Sequence, residues 1–186
     1  MNDVIRAVED GRSPILLTER TDHLAYFARR LKHVARNLVV LRGGMGAKAD
    51  RAVRAQLTSI PIDQERVILA TGRYIGEGFD DARLDTLFLT LPVSWKGTLV
   101  QYAGRLHRQH PGKRDVRIFD YVDREVPVLL RMFEKRLRGY RAMGYARGEA
   151  PLGYAEPKED LVNEYYNDVF AAFDHDLATD RDDDFL

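Results

Sequence analysis

Five short apolar runs, separated by stretches with helical periodicity, constrain the fold of this chain more than any other feature. Each run consists mainly of apolar residues, which predicts a strand that is buried on both faces. The five predicted strands are residues 14–19, 37–41, 66–71, 85–91 and 115–122. Because they alternate with helices, they predict an α/β fold of three layers, in which helices flank a mainly parallel sheet.

Four stretches between and after these strands predict helices. They are TDHLAYFARRL at residues 21–31, a helix through Val53 and Leu57, KGTLVQYAGRLHR at residues 96–108 and a long basic helix at residues 126–143. In sheets of this kind, ligands bind at the carboxyl ends of the strands. The residues expected at that edge are Glu19, Gly43, Thr71 and Gly72.

The charge distribution divides the chain into a basic body and an acidic end. The 186 residues include 29 basic and 29 acidic side chains, yet residues 149–186 hold 12 of the acidic and only 2 of the basic ones. A basic body with an acidic tail is common among nucleic-acid-binding proteins, although a solvated terminal segment shows the same pattern. We predict a main domain at residues 1–123, its basic helical extension at 124–148, and an acidic tail at 149–186 that is partly helical and then disordered.

Composition excludes several classes of protein. The absence of cysteine excludes disulfides and cysteine-ligated zinc. The first 20 residues lack the apolar core of a signal peptide, and no apolar run is long enough to cross a membrane. We expect a cytoplasmic protein. We also expect no metal site formed by this chain alone, because only His107 and His110 lie near each other in the sequence.

The glycine-rich stretch GGMGAK, at residues 43–48, follows a predicted strand and precedes a helix, as phosphate-binding loops do. It lacks the GxxxxGK[ST] pattern of a Walker A loop, because one alanine separates the last glycine from the lysine and another replaces the magnesium-binding hydroxyl. A nucleotide P-loop is therefore not predicted. The amides of Gly43 and Gly44 are candidates for binding a nucleic-acid phosphate, with a plain turn as the alternative.

Two further motifs combine residue types that handle nucleotides. The first, ILATGRYIGEGFDDARLDTLFL at residues 68–89, contains a strand, a GEGFD turn and the next strand. The second, QYAGRLHR at residues 101–108, places two arginines three residues apart behind a glycine. Guanidinium groups bind phosphate oxygens through paired hydrogen bonds, so this spacing predicts a phosphate contact. Neither motif is specific alone, since the arginines could form surface salt bridges and the acidic turn could be structural.

Taken in this order, the two motifs resemble motifs V and VI of superfamily 2 helicases, and ILLTER at residues 15–20 resembles the strand of motif IV. The resemblance spans residues 13–122 and corresponds to the second, C-terminal RecA-like domain of the helicase core. The sequence is more similar to DEAD/DEAH-type helicases and to helicase subunits of restriction or phage-defence systems than to RNA-specific DEAD-box proteins. In that family ATP lies between two RecA-like domains, and the first of them carries the P-loop.

The resemblance implies a role for each matching residue. Arg108 matches the arginine finger and Arg105 the second motif VI arginine, so both are implied in catalysis. The implied nucleotide-binding residues are Gln101, Gly78, Asp80 and Gly104. Together with the glycine loop, the candidates for nucleic-acid binding are Thr71, Gly43, Gly44, Thr18 and Arg20.

The predicted helix at residues 126–143 has an apolar stripe, and we expect it to pack by that stripe. The stripe consists of Val128, Leu129, Met132, Phe133 and Leu137. The basic face of the helix could line a nucleic-acid path, remain solvated or bind the acidic tail. That face consists of Arg131, Lys135, Arg138 and Arg141.

Together these features predict the second motor domain of an ATP-dependent DNA helicase or translocase. Its partners would be a nucleic acid, DNA rather than RNA, and an N-terminal RecA-like P-loop domain in the same or another chain. That domain would bind most of the ATP and Mg²⁺, so we expect the isolated chain to be inactive as an ATPase. The alternative is a non-catalytic nucleic-acid-binding or split-helicase subunit that completes a partner's ATP site. A phosphate-handling transferase is disfavoured, because Glu19 is the only candidate base.

Overall fold

Five strands and six helices alternate along the part of the chain that the computed structural model describes, residues 1–76, 79–93 and 99–148. The strands are β1 Pro14–Thr18, β2 Leu38–Leu41, β3 Val67–Thr71, β4 Thr86–Leu89 and β5 Arg117–Asp120. The helices are α1 Asn2–Glu9, α2 Thr21–Leu31, α3 Ala47–Ser59, α4 Gly72–Gly76, α5 Val100–Leu106 and α6 Pro127–Ala142. None of these helices is both long and apolar enough to cross a membrane. The predicted acidic tail, residues 149–186, lies outside the described residues.

β1 lies at the centre of the sheet, whose strand order is β2-β3-β1-β4-β5. All four neighbouring pairs are parallel, and Leu16 of β1 lies opposite Leu69 of β3 and Phe88 of β4. The three inner strands are buried along their whole length, as their apolar runs predicted. The predicted α/β fold with a parallel sheet is confirmed.

Each face of the sheet has its own apolar core, because successive side chains of a strand point to opposite faces. On one face, Leu16 belongs to a cluster with Val4 of α1 and Leu24 of α2. On the other face, Leu17 belongs to a cluster with Ile75 of α4 and Tyr102 of α5, and side chains of α3 and α6 border the same cluster. In the described part of the chain, two helices therefore cover one face and four cover the other.

Two helices were not predicted from the sequence. α1 buries Val4, Ala7 and Val8, whose spacing is that of one helical face. α4 begins directly after Thr71, before the predicted GEGFD turn, and it buries Ile75 in the core. The remaining differences concern element ends: β4 and β5 are shorter than their apolar runs, and residues 94–98, which include the predicted start of the α5 helix, are not described.

α6 packs only in part by the predicted apolar stripe. Leu137 packs against the core, whereas Val128 is 50% exposed and the buried side chains of the helix include Arg136 and Tyr140. Arg136 donates to both carboxylate oxygens of Asp120, at 2.6 and 2.8 Å, and to the carbonyl of Val93 at 3.0 Å. The Tyr140 hydroxyl donates to the same carboxylate at 2.9 Å. The predicted stripe did not include Arg136, which is buried because its guanidinium has hydrogen-bonded partners.

The amino ends of β1, β4 and β5 are joined by the buried side chain of Arg12. Its Nε atom donates to Thr86 Oγ1 at 2.5 Å, and Nη1 donates to Asp115 Oδ1 at 2.6 Å. Nη2 donates to the carbonyls of Asp85 and Asp115 at 3.1 and 3.2 Å. Since this one side chain joins its own segment to two others that are distant in sequence, this end of the sheet is held in a defined arrangement.

Candidate nucleotide and nucleic-acid site

The carboxyl ends of β1, β3 and β4 meet α5 around Gly72. A Cβ atom on this buried glycine would lie 2.5 Å from Tyr102 Oη of α5 and still closer to Glu19 Oε1, which follows β1. It would also lie 3.4 Å from Leu91 Cδ1, which follows β4. Only a residue without a side chain fits here, so Gly72 allows the helix of the QYAGRLHR motif to lie directly against this edge of the sheet.

The Tyr102 hydroxyl is part of this contact and stays protonated near neutral pH. Burial, supported by the nearby Glu19 carboxylate and opposed by the charge of Arg105, raises the pKa of Tyr102 to about 12. No pattern in the sequence indicated that the side chains of Glu19 and Tyr102 both approach Gly72, because they belong to elements more than eighty residues apart. This arrangement brings α5 close to the ends of β1 and β3.

Arg108 and Asp80 bring the two helicase-like motifs together in space. Arg108 Nη2 lies 2.8 Å from Asp80 Oδ2, and the two side chains are 62% and 45% exposed. An ion pair this exposed can be exchanged for another partner at little cost in free energy. Gly78, the other predicted nucleotide-binding residue of this turn, lies outside the described residues, as does Glu77.

Arg105, one helical turn before Arg108, is less exposed than Arg108. Its Nε atom is buried and has no hydrogen-bond partner in the part of the chain that the structure describes. A buried donor without a partner costs roughly 1–3 kcal/mol, so Arg105 is suited to a further acceptor. An anion such as a phosphate oxygen would fit this requirement.

The surface of α5 that faces away from the sheet carries the other predicted nucleotide-binding residues. Val100, Gln101 and Gly104 are exposed along this surface. A Cβ atom on Gly104 would have no described atom within 4 Å. The predicted close approach at Gly104 therefore has no counterpart within the described residues, and the surface is open to another molecule.

Thr71 and the glycine loop, which were both predicted to bind nucleic acid, contact each other. The buried Thr71 hydroxyl accepts a hydrogen bond of 3.0 Å from the amide of Gly43. Gly44 has a φ angle of +78°, which L side chains rarely adopt, and it is exposed. The bond engages the Gly43 amide within the chain and places Gly44 at the tip of the turn between β2 and α3.

Thr18 and Arg20 occupy different environments at the end of β1. Thr18 is only 1% exposed, and its hydroxyl accepts a weak bond of 3.4 Å from the Arg20 amide. The exposed Arg20 side chain donates to both carboxylate oxygens of Asp22, at 3.0 and 2.5 Å. These bonds lower the pKa of Asp22 to about 2. Thr18 is thus too buried to present a surface, whereas Arg20 remains accessible.

One contact that the sequence analysis missed joins α4 to α3. The Tyr74 hydroxyl donates to Asp50 Oδ1 at 2.5 Å, and Arg54 donates to the other oxygen of the same carboxylate at 2.8 Å. The two hydrogen bonds, from Tyr74 first and then Arg54, lower the pKa of Asp50. The spacing of Asp50 and Arg54 could have indicated their pairing, but nothing in the sequence indicates the tyrosine. The contact couples the glycine loop's helix to the end of β3.

The donor set of this edge suits phosphate oxygens better than a metal ion. Among the residues that the structure describes, no group of three or more His, Asp or Glu side chains could hold a metal. The exposed carboxylate of Asp80 is paired with Arg108.

Solved structures share this architecture. The C-terminal part of the Fun30 ATPase domain matches with a TM-score of 0.59 and 9% identity, over 94% of this chain and 52% of that one. T4 UvsW matches with a TM-score of 0.57 and 16% identity, over 76% of this chain and 31% of that one. Domain 2 of the DEAD-box helicase Mss116p, in a complex with an RNA duplex, matches with a TM-score of 0.51 and 13% identity, over 88% and 59%. This chain and the matched parts of these proteins share a RecA-like α/β fold with a parallel sheet.

These matches concern the fold, since the identities lie between 9% and 16%. No protein-family model matches the sequence, and no curated protein matches it. The chain spans between 31% and 59% of the length of the three solved chains. It therefore corresponds to one part of each of them.

Proposed function

We propose that this chain is the second motor domain of an ATP-dependent helicase or translocase. The observation that carries the proposal is the ion pair between the exposed side chains of Arg108 and Asp80, which joins the two stretches that resemble motifs V and VI. The exposed surface of α5, with Gln101 and Gly104, faces the P-loop domain of the motor.

The two arginines act on the triphosphate from the side opposite the P-loop. ATP supplies the phosphoryl group that is transferred to water. Arg108 stabilises the negative charge that develops on the phosphoryl oxygens, an effect that reaches about 10³-fold or more in related motors. Arg105 provides a second guanidinium, whose Nε atom already lies in a low-dielectric position without a partner. Asp80 holds Arg108 until the domains close.

The nucleic acid binds along the basic body of the chain, through its phosphate backbone and without reading the sequence. Residues 1–148 contain 27 basic and 17 acidic residues, which favours this kind of contact. Gly44 at the loop tip and Arg20 follow the carboxyl ends of β2 and β1, and both are exposed. Thr71 acts through the Gly43 amide that it holds, and Thr18 acts through the Arg20 amide.

DNA is the preferred substrate in this proposal, on the basis of the sequence resemblance to defence-system helicases. One structural neighbour, Mss116p, is bound to an RNA duplex, which makes RNA the competing choice. Fluorescence anisotropy with DNA and RNA strands of the same sequence, at several salt concentrations, distinguishes them. Arg20→Ala should reduce the slope of log affinity against log salt by about one, and Arg29→Ala, in the last turn of α2, should leave it unchanged.

A second function is compatible with the same site: a non-catalytic subunit that binds nucleic acid or completes a partner's ATP site. It is favoured by the absence of a GKT or GKS sequence from the chain. The two functions share the arginine contact and differ in whether hydrolysis occurs within one assembled motor.

ATP hydrolysis measured with and without nucleic acid separates these functions. The chain is assayed alone and mixed with a P-loop RecA-like domain encoded in the same or a neighbouring reading frame. We expect activity only in the mixture, and a loss of about 10³-fold for Arg108→Ala but not for Arg29→Ala. If the mixture does not hydrolyse ATP but the chain still binds nucleic acid in a salt-sensitive way, the non-catalytic subunit is favoured. Robust hydrolysis by the pure chain would overturn the proposed division between the two domains.

A further inference from the structure

We infer that Lys113 positions Arg108 by capping the carboxyl end of α5, an assignment that rests on the proposed function of Arg108. Lys113 Nζ donates to the carbonyl of Leu106 at 2.8 Å and to the carbonyl of Arg108 itself at 2.6 Å. The last carbonyls of a helix have no partner within the helix, and a lysine ammonium both bonds to them and complements their partial negative charge. One side chain thus holds the backbone of the arginine finger.

The helix alone holds this backbone weakly. α5 ends at Leu106, two residues before Arg108. The Arg108 amide lies 3.5 Å from the carbonyl of Arg105, and the His107 amide lies 3.3 Å from that of Gly104. Both bonds are longer than the usual N–H···O distance of about 2.9–3.0 Å. The bond from Lys113 to the Arg108 carbonyl is therefore shorter than the bond that the Arg108 amide makes within the chain.

Lys113 is itself anchored to the sheet rather than to α5. Its amide donates to the carbonyl of His110 at 3.1 Å, and Gly112 has a φ angle of +89°, which allows the tight turn before it. Two residues later, Asp115 is bonded to the buried Arg12. A continuous set of contacts therefore runs from the amino edge of the sheet through Lys113 to Arg108.

The ammonium group suits this task because of its donors. A lysine ammonium has three N–H donors, and two of them bond to carbonyls here. The side chain is partly buried, whereas that of the neighbouring Arg114 is exposed. If Lys113 were solvated, it would not restrict the backbone of Arg108. As a capping residue it restricts that backbone, and therefore the directions that the Arg108 side chain can take. A displacement of about 1 Å in a catalytic group can lower a rate by about 10²-fold, so this restriction matters for catalysis.

The test compares Lys113→Met with Arg114→Met in the assembled motor. Lys113→Met keeps the aliphatic stem and removes the donors, whereas Arg114→Met is a matched change in the adjacent exposed residue. We expect Lys113→Met to lower kcat by about 10- to 100-fold with a nearly unchanged KM for ATP, because binding groups are retained and the finger is displaced. Arg114→Met should retain the wild-type kcat. Lys113→Arg, which keeps the charge and the donors, should restore most of the activity.

Hydrogen exchange provides a readout that does not depend on catalysis. In the isolated chain, the peptide that contains residues 104–110 should exchange faster in Lys113→Met than in wild type or Arg114→Met, while the strands keep their protection. An unchanged kcat or an unchanged exchange rate in Lys113→Met would overturn the assignment of Lys113 alone. A wild-type mixture without ATPase activity would overturn the proposed motor function and the assignment with it.

Discussion

Arg108 and Asp80 form an ion pair, with 2.8 Å between Nη2 and Oδ2, in which both side chains stay largely exposed to solvent. The pair joins the end of α5 to the turn after α4, so it connects the two stretches that most resemble helicase motifs. Because an exposed pair is weak, Asp80 can direct Arg108 toward the edge of the sheet without binding it permanently. An arginine that acts on a second domain must be held in position by a contact that it can give up when that domain arrives, and this ion pair meets both conditions.

Asp80 and Asp81 are adjacent in sequence, but their ion pairs differ in burial. Asp81 Oδ2 lies 2.5 Å from Arg66 Nη2, at an angle unsuited to a hydrogen bond, and the two side chains are 9% and 4% exposed. We expect Asp81→Asn to lower the free energy of unfolding by about 3–5 kcal/mol, because it leaves a buried guanidinium without its counter-charge. Asp80→Asn should lower it by less than about 1 kcal/mol. Urea unfolding measures both, and equal losses would contradict the difference in burial.

A substitution at Gly104 should change stability and activity in opposite directions. It lies within α5, and a Cβ atom there would have no described atom within 4 Å. Gly104→Ala should therefore raise the free energy of unfolding by about 0.5–1 kcal/mol, since alanine is the better helix former. The same variant should lower nucleic-acid-stimulated ATPase activity in the mixture, because the added methyl group lies on the surface that faces the P-loop domain. A variant that is more stable and equally active would show that this surface makes no close contact.

The strands and the parallel sheet could be predicted because their signals are local. A strand buried on both faces needs an apolar run, and that run is visible in the sequence wherever the strand lies in the sheet. The resemblance to helicase motifs assigned Asp80 and Arg108 to one predicted site, but it did not predict their ion pair. The approach of Glu19 and Tyr102 to Gly72 was not predicted either, since it depends on the packing of α5 against the ends of β1 and β3.

Buried charges and contacts to the backbone could not be predicted from the sequence. Arg136 has the same residue type as the exposed arginines of α6, and only the position of Asp120 on β5 distinguishes it. Lys113 bonds to carbonyls, which every residue possesses, so its sequence resembles that of any loop lysine. α1 has a helical pattern in Val4, Ala7 and Val8, but it is short and rich in charges, and its stability depends on the sheet beneath it.

Gly72 limits how the edge of the sheet can be altered. A Cβ atom on it would overlap with Tyr102 Oη and Glu19 Oε1, so Gly72→Ala must displace α5 or the end of β1. We expect a loss of about 1–3 kcal/mol in the free energy of unfolding. Gly46→Ala, where a Cβ atom has no described atom within 4 Å, is the matched control and should change it by less than about 1 kcal/mol. Chemical denaturation of the two variants measures the difference, and similar stabilities would show that the contact around Gly72 relaxes freely.

Asp115 should make the stability of the protein depend on pH in the acid range. Burial raises the pKa of Asp115, but hydrogen bonds from Arg12 and then Arg117 outweigh it, so the pKa lies below its ordinary value of 3.8. A carboxylate with a lowered pKa stabilises the fold above that ordinary value and loses the contribution as pH falls through its folded-state pKa. Asp115→Asn should thus be less stable than wild type at neutral pH, and the gap should narrow below about pH 3.8. Urea unfolding of both proteins over this pH range measures the difference in their free energies of unfolding. A difference that does not change with pH would exclude the charge of Asp115 as its cause.

Arg136 stabilises the position of α6 through the buried carboxylate of Asp120. Arg136→Met should lower the free energy of unfolding by about 3–5 kcal/mol, because Asp120 then keeps a buried charge with the Tyr140 hydroxyl as its remaining side-chain donor. Arg138→Met, an exposed arginine on the same helix, should change it by less than about 0.5 kcal/mol. In the double variant Arg136→Met, Asp120→Asn, part of the loss should be recovered, since the uncompensated charge is removed. Full additivity of the two single losses would instead show that Arg136 acts by packing alone.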